Sequence, residues 1–193
     1  MKTKNYLRLI LNCWLANCLG LAALPALAAA EQTASYKDWY MFSERDAKGV
    51  KHCILMAGGN GIKEAFFVDS YPGGYSTVFF EEFNPSGGKY VTTTTDEFIF
   101  QFDDGQQTSF DDVRTMIESR KGQTYRPWAV LNEASSADAI NLMRSATTVS
   151  VLRRTPASRT PALVYKFSLA GFTALFLKAS EWCGFDANRI PRK

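Results

Sequence analysis

The sequence predicts a mainly β protein: a sandwich of antiparallel sheets with two or three short helices, one of them docking at the C-terminus. Three observations carry this reading. Apolar residues alternate with a period of two in short runs, as in Phe98, Phe100 and Phe102, or Leu163, Tyr165 and Phe167. Turn-forming clusters separate such runs, among them Tyr71-Pro72-Gly73-Gly74 and Asn84-Pro85-Ser86-Gly87-Gly88. Near the end the period changes to three and four, at Phe172, Leu175, Phe176, Ala179 and Trp182, which makes one apolar stripe on a helix.

Residues 1–30 read as a secretory signal peptide. Lys2, Lys4 and Arg8 make a basic start, an apolar run extends from Leu9 to Leu24, and small residues such as Ala26-Leu27-Ala28 offer a cleavage site. The expected location is therefore periplasmic or secreted, with no stable membrane span once the signal is gone. Residues 31–193 are expected to form a single β-rich domain. Removing Lys2, Lys4 and Arg8 leaves 19 of the 22 basic residues, against 19 acidic ones. A formally neutral chain gives no electrostatic footprint for nucleic acid.

Cys13 and Cys18 leave with the signal, so Cys53 and Cys183 remain. Two cysteines in an exported chain read as one disulfide, tying the C-terminal helix to an early strand. A metal would want more ligands than these two, and His52 is the single histidine of the chain. No cofactor motif is read. The Gly58-Gly59-Asn60-Gly61 cluster lacks the Lys-Ser/Thr and the helix of a phosphate loop, so it reads as a turn.

Taken in order, strands are expected from Trp39, over Val50–Met56, Glu64–Asp69 and Tyr75–Glu82, with Ala47-Lys48-Gly49 as a turn. Lys89–Thr95 reads as an exposed strand from its Thr and Tyr content, and Phe98–Phe102 as a core strand. Ser109 is expected to cap a short helix whose first turn holds Asp111 and Asp112, with Val113, Met116 and Ile117 inward and Arg120 and Lys121 at its end. Arg126–Val130 is extended. Ser135 starts a second helix, Thr147–Leu152 is a strand, and Ser168 caps the C-terminal helix, which stops at Gly184. Gly171, a poor residue inside a helix, suits close packing of the first turn on the sheet. Between strand and strand, Arg153–Pro161 reads as a hairpin-like loop. Its Arg153, Arg154 and Arg159 form a candidate anion-binding site, for which an ordinary solvated loop is the plainer account.

No catalytic residues are assigned. A Ser-His or Cys-His site has to use His52, and its neighbour Cys53 points to the opposite face of a strand. The reading is an exported binding module that contacts an envelope or host-surface protein or glycan. Two alternatives stay open: a cell-envelope glycan hydrolase with paired carboxylates, and a structural envelope-maintenance protein.

The order of several short motifs supports the first reading. They are Asp38-Trp39, His52-Cys53-Ile54-Leu55, Pro127-Trp128-Ala129, Ser158-Arg159-Thr160, and the run from Phe167 through Ser168-Leu169-Ala170-Gly171-Phe172-Thr173-Ala174 to Cys183. This series resembles the invasion-associated locus B family of exported bacterial proteins. The resemblance implies a β-sandwich with a few helices, export, and a host-facing or envelope role, and it brings no catalytic mechanism. The chain departs from that family in having no additional cysteines in its first and middle parts and little similarity between Gly58 and Thr95.

Overall fold

The computed structural model describes residues 31–58, 63–83, 92–118 and 126–191. The expected signal segment, the glycine turn beyond Gly58, the 84–88 turn, and Arg120 and Lys121 lie outside them. In chain order the strands are Gln32–Tyr36 (β1), Trp39–Arg45 (β2), Lys51–Gly58 (β3), Glu64–Ser70 (β4), Ser76–Glu82 (β5), Glu97–Phe102 (β6), Val113–Glu118 (β7), Arg126–Leu131 (β8), Thr148–Arg154 (β9) and Ala162–Ser168 (β10). The helices are Glu133–Ser145 (α1) and Phe172–Cys183 (α2). One sheet has seven strands in the order β1-β2-β3-β4-β5-β8-β7, the other three in the order β10-β9-β6. Every pairing is antiparallel, so the β-sandwich class expected from the alternating pattern is the class observed.

The inner face of the large sheet makes the core. Met41, Leu55, Phe66, Val68, Val78 and Phe80 on it are buried and belong to one apolar cluster with the small sheet and both helices. Phenylalanines bridge the two sheets. Phe66 meets Phe100 edge-on at 5.0 Å and Phe167 at 5.6 Å, and Phe80 meets Phe98 at 5.9 Å. Offset and edge-on ring pairs add about 0.5–1.5 kcal/mol each beyond their buried area. The small sheet covers the middle of this face, while α1 and α2 close its flanks over β5 and over β1–β3.

α2 is fixed at both ends. At its start the Trp39 indole donates to the Ser168 carbonyl at 3.0 Å, and the Asp38 N–H donates to the Ala170 carbonyl at 3.3 Å. Gly171 precedes the helix at φ 99°, and a Cβ there would run into the Tyr36 carbonyl oxygen. At its other end Cys183 is bonded to Cys53 on β3, with Cα atoms 6.0 Å apart. The bond closes a separation of 130 residues, for which chain-entropy reasoning gives about 5 kcal/mol. The expected close approach of Gly171 is present, but its place differs. Ser168 does not cap α2; its hydroxyl accepts from Ala170 N–H, and Gly171 stands at the N-cap. The left-handed turn needed to bring the helix onto β1 displaces the cap by three residues.

Other expectations shift for identifiable reasons. Ser109 does form a capping box with Asp112, but it caps a single 3-10 turn, Phe110–Asp112, and not a longer helix. Val113, Thr115 and Ile117 are β-branched, and with edge pairing to β8 available they continue as β7. α1 starts two residues earlier than expected, because the Asn132 side chain accepts from Ser135 N–H at 2.9 Å and is the N-cap. Ser136 is buried, and its hydroxyl accepts from Val78 N–H at 3.1 Å, which joins α1 to β5. β1 has no counterpart among the strands expected from the sequence. Residues 92–95 form a turn closed on the Asp96 carboxylate instead of a strand, and 89–91 lie outside the described residues. Leu163 is 60% exposed because a register shift between Leu163 and Tyr165 turns it away from the core.

The close approach at Gly171 gives a stability prediction. Gly171→Ala is expected to lower the unfolding free energy by about 2–4 kcal/mol, combining left-handed strain with overpacking. Gly49→Ala, also left-handed but in open space, is expected to lose only the strain part, about 1 kcal/mol. Urea unfolding of both variants checks this, and equal losses would contradict a steric role for Gly171.

Candidate functional site: the outer face of the large sheet

Alternation along each strand sends a second set of side chains to the outer face of the large sheet. From the register this set is Tyr40 and Phe42 on β2, Ile54 and Met56 on β3, Phe67 and Asp69 on β4, Thr77 and Phe79 on β5, Trp128 and Val130 on β8, and Arg114 and Met116 on β7. Among the described residues neither helix nor the small sheet packs on it, since both helices and that sheet contribute to the cluster on the inner side. The face is nonetheless aromatic. Phe67 stacks on Phe79 at 4.7 Å, and Phe79 stacks on Trp128 at 5.7 Å. Tyr40 is 38% exposed and Met116 40%. The Trp128 indole nitrogen is shielded from solvent and meets no acceptor among the described residues. A donor left in that state is destabilising by about 1–3 kcal/mol until something accepts from it.

One end of the face is polar. His52 on β3 is buried between two carboxylates, with Nδ1 2.7 Å from Asp69 Oδ1 and Nε2 3.4 Å from Glu44 Oε1. The Tyr71 ring stacks on the imidazole at 4.6 Å. The hydrogen bond to Asp69 raises the His52 pKa above its ordinary value, against burial, and the Asp69, Glu44 and Asp46 charges add to the rise. Burial, followed by the Asp69 charge, pushes the Tyr71 hydroxyl up to about 12. The fold therefore favours the charged form of His52 more than water does, at the centre of a buried polar cluster. Next to it, Cys53 points to the inner face and is oxidised. The two residues are separated by the sheet and do not form a Cys-His pair.

The three arginines of the candidate anion site do not come together as one loop. Arg153 and Arg154 belong to β9, and as neighbours they point to opposite faces. Arg153 donates to the Thr92 hydroxyl at 3.3 Å and lies 4.0 Å from Asp96. Arg154 pairs with Glu97 at 2.6 Å and covers the Phe110 ring at 3.8 Å. Arg159 alone sits exposed in the loop between β9 and β10. This placement follows from strand length: β9 runs on to Arg154, and register against β6 supplies Glu97 as the partner.

A pair of carboxylates does exist. Glu64 and Glu82 are directly opposite across β4 and β5. Burial, then the Glu82 charge, raises the Glu64 pKa, while Glu82 accepts from the Thr92 hydroxyl at 2.7 Å. Among the described residues no group of three or more His, Cys, Asp or Glu side chains is placed to hold a metal ion, and no helix is long and apolar enough to cross a membrane.

No family model matches the sequence, and no curated protein matches it. A solved structure does. The invasion associated protein B from Bartonella henselae aligns with a TM-score of 0.50 at 13% identity, over 78% of this chain and 97% of that one. At this identity the likeness concerns the fold, which the two chains share over most of their lengths.

The His52 cluster predicts a pH dependence. Because the folded pKa is raised, the stabilisation from His52 is fully present below about pH 6.5. It is lost as pH rises through the folded value. Urea midpoints measured from pH 6 to 9 are expected to fall for the wild type. His52→Gln is expected to be less stable at pH 6 and to lack most of that fall. Parallel pH curves for the two proteins would contradict the assignment.

Proposed function

We propose that this chain is an exported binding module of the invasion-associated locus B type, periplasmic or secreted, which docks an envelope or host-surface partner on the outer face of its large sheet. The observation that carries this reading is the aromatic row Phe67, Phe79 and Trp128 with the unaccepted indole donor, on a face that no described element covers. Half-buried Phe42, Ile54 and Met56 extend it. Aromatic side chains are enriched in the residues that dominate binding energy, and such anchors typically lose at least 2 kcal/mol on truncation. The disulfide suits an oxidising compartment. The likeness to a protein described as invasion associated supports a host-facing or envelope role.

The test is capture from envelope extracts with the immobilised protein, beside a Phe79→Ala, Trp128→Ala double variant. The wild type is expected to retain one partner reproducibly and the variant to retain it at least tenfold less well. Equal capture by both, or no capture by either, would remove the docking reading. Turnover of wall glycan by the wild type that is lost in Glu64→Gln would select the paired-carboxylate hydrolase in its place.

A further inference from the structure

The large sheet ends on β1, and the side of β1 away from β2 has no strand against it among the described residues. The direction of its backbone groups follows from the turn. Lys37-Asp38 closes on the pair Tyr36–Trp39, and a two-residue hairpin closes on a hydrogen-bonded pair. Alternation then turns the amide groups of Gln32, Ala34 and Tyr36 to β2, and those of Thr33 and Ser35 to the open side. From Gln32 to Tyr36 there is no proline, no charge and no register shift. β1 therefore lacks the devices that keep an edge strand from pairing.

β1 is also complementary to itself. Residues 31–37 read Glu-Gln-Thr-Ala-Ser-Tyr-Lys. When two copies run antiparallel about a two-fold axis at Ala34, Thr33 faces Ser35, Gln32 faces Tyr36, and Glu31 faces Lys37, each twice. Hydroxyl pairs and opposite charges are favourable directly across antiparallel strands. The next registers that still join the open amide groups set Glu31 opposite Ser35, or Lys37 opposite Thr33, and lose the charge pairs. Ala34 meets its own copy at the axis, where a small side chain suits Cα atoms about 4.5 Å apart. Tyr36, 50% exposed in the single chain, gains Gln32 of the second copy as cover.

The remaining charges at the two ends are Arg45 and Lys51, which already face Glu31 at 2.7 and 4.0 Å, and Asp38 and Lys166, which line a groove with Lys37. Glu31 and Lys37 are exposed, so their pairing sets register and adds little affinity. The helices leave room. α2 lies over β1, β2 and β3. From β2 of one copy to β2 of the other is three strand spacings, about 14 Å, against about 8–10 Å between packed helix axes.

We infer that two copies of the mature chain, with residues 1–30 removed, pair through β1 in antiparallel register about Ala34. The result is one continuous sheet with seven strands from each copy, and both outer faces lie on the same side of it. The pairing uses the strand edge and does not depend on the docking reading of the outer face. Two short strands make a small interface beside the roughly 1,200–2,000 Å² of stable complexes, so the dimer is reversible.

Light scattering of the mature protein tests this. The mass is expected to climb from one chain towards two as concentration rises. Ser35→Pro removes an N–H that faces the open side and none that reaches β2, so it is expected to fold and stay monomeric. Thr33→Lys with Ser35→Lys sets like charges opposite one another and is expected to do the same. On oxidation, Ala34→Cys is expected to cross-link about tenfold faster than Thr33→Cys, because residue 34 meets its own copy. A single-chain mass at every concentration would overturn the inference, and an envelope partner lost by Ser35→Pro would then assign the edge to another protein. A dimer that survives in both folded edge variants, or is lost in Phe79→Ala, Trp128→Ala instead, would also overturn it. Equal cross-linking of the two cysteine variants would overturn the register.

Discussion

The rest of the structure depends on α2 being held against the inner face of the large sheet at both of its ends. At one end the backbone of residues 168–171 reaches the β1–β2 turn so closely that only glycine fits under the Tyr36 carbonyl. The Trp39 indole fastens the same corner to the Ser168 carbonyl, and its ring packs at 4.9 Å on Phe172. At the other end the disulfide joins the last residue of the helix to β3. Between these points Phe172, Leu175, Phe176 and Ala179 are buried. A helix of 12 residues would be marginal by itself in water; here it is fixed by tertiary contacts and a covalent bond. With α2, α1 and the small sheet all on one side, the inner face is closed, and strand alternation leaves its complement on the other.

That division explains how chemistry is distributed. Cys53 and His52 are neighbours in sequence and strangers in space, one in the core and one on the outer face. The inner side is apolar and cross-linked. The outer side combines a stacked aromatic row with a histidine shared by two carboxylates. An outer face built only to be wetted would not need Phe67 against Phe79 against Trp128. These rings bury apolar area on one another, Phe67 most fully at 7% exposure, and rings held by stacking lose little entropy on binding. The shielded indole nitrogen of Trp128, which meets no acceptor among the described residues, is on this side as well. It is a group that an incoming partner can satisfy.

Much of the fold was legible because period-two alternation reports strand faces directly. Phe98, Phe100 and Phe102, and Val149 and Val151, are buried as their spacing implies. The apolar stripe from Phe172 and the stop at Gly184 also matched the helix observed. Boundaries were less legible where local and tertiary preferences compete. The Ser109 box is a good local signal, yet the chain after it is captured by β8 as a strand. β1 shows little pattern because it is an exposed edge strand, defined mainly by pairing to β2. The outer aromatic row is not legible in the sequence for a different reason. Its members are spread over separate strands, and their adjacency comes from register across β4, β5 and β8, which no single segment displays. The arginines illustrate the converse. Three cations close in sequence suggested a site, and register assigned two of them to carboxylates on β6 and its preceding turn.

Hydroxyl-radical footprinting tests the central claim that the outer face is where this protein meets its partner. The protein is labelled alone and then in envelope extract, and oxidation is quantified at exposed apolar side chains. Tyr40, Tyr75 and Met116 on the outer face and Leu163 and Leu177 on the opposite side are all accessible in the free protein. The account predicts that extract protects the first three while Leu163 and Leu177 stay oxidised to the same extent. Unchanged labelling of Tyr40, Tyr75 and Met116, or protection confined to Leu163 and Leu177, would contradict it.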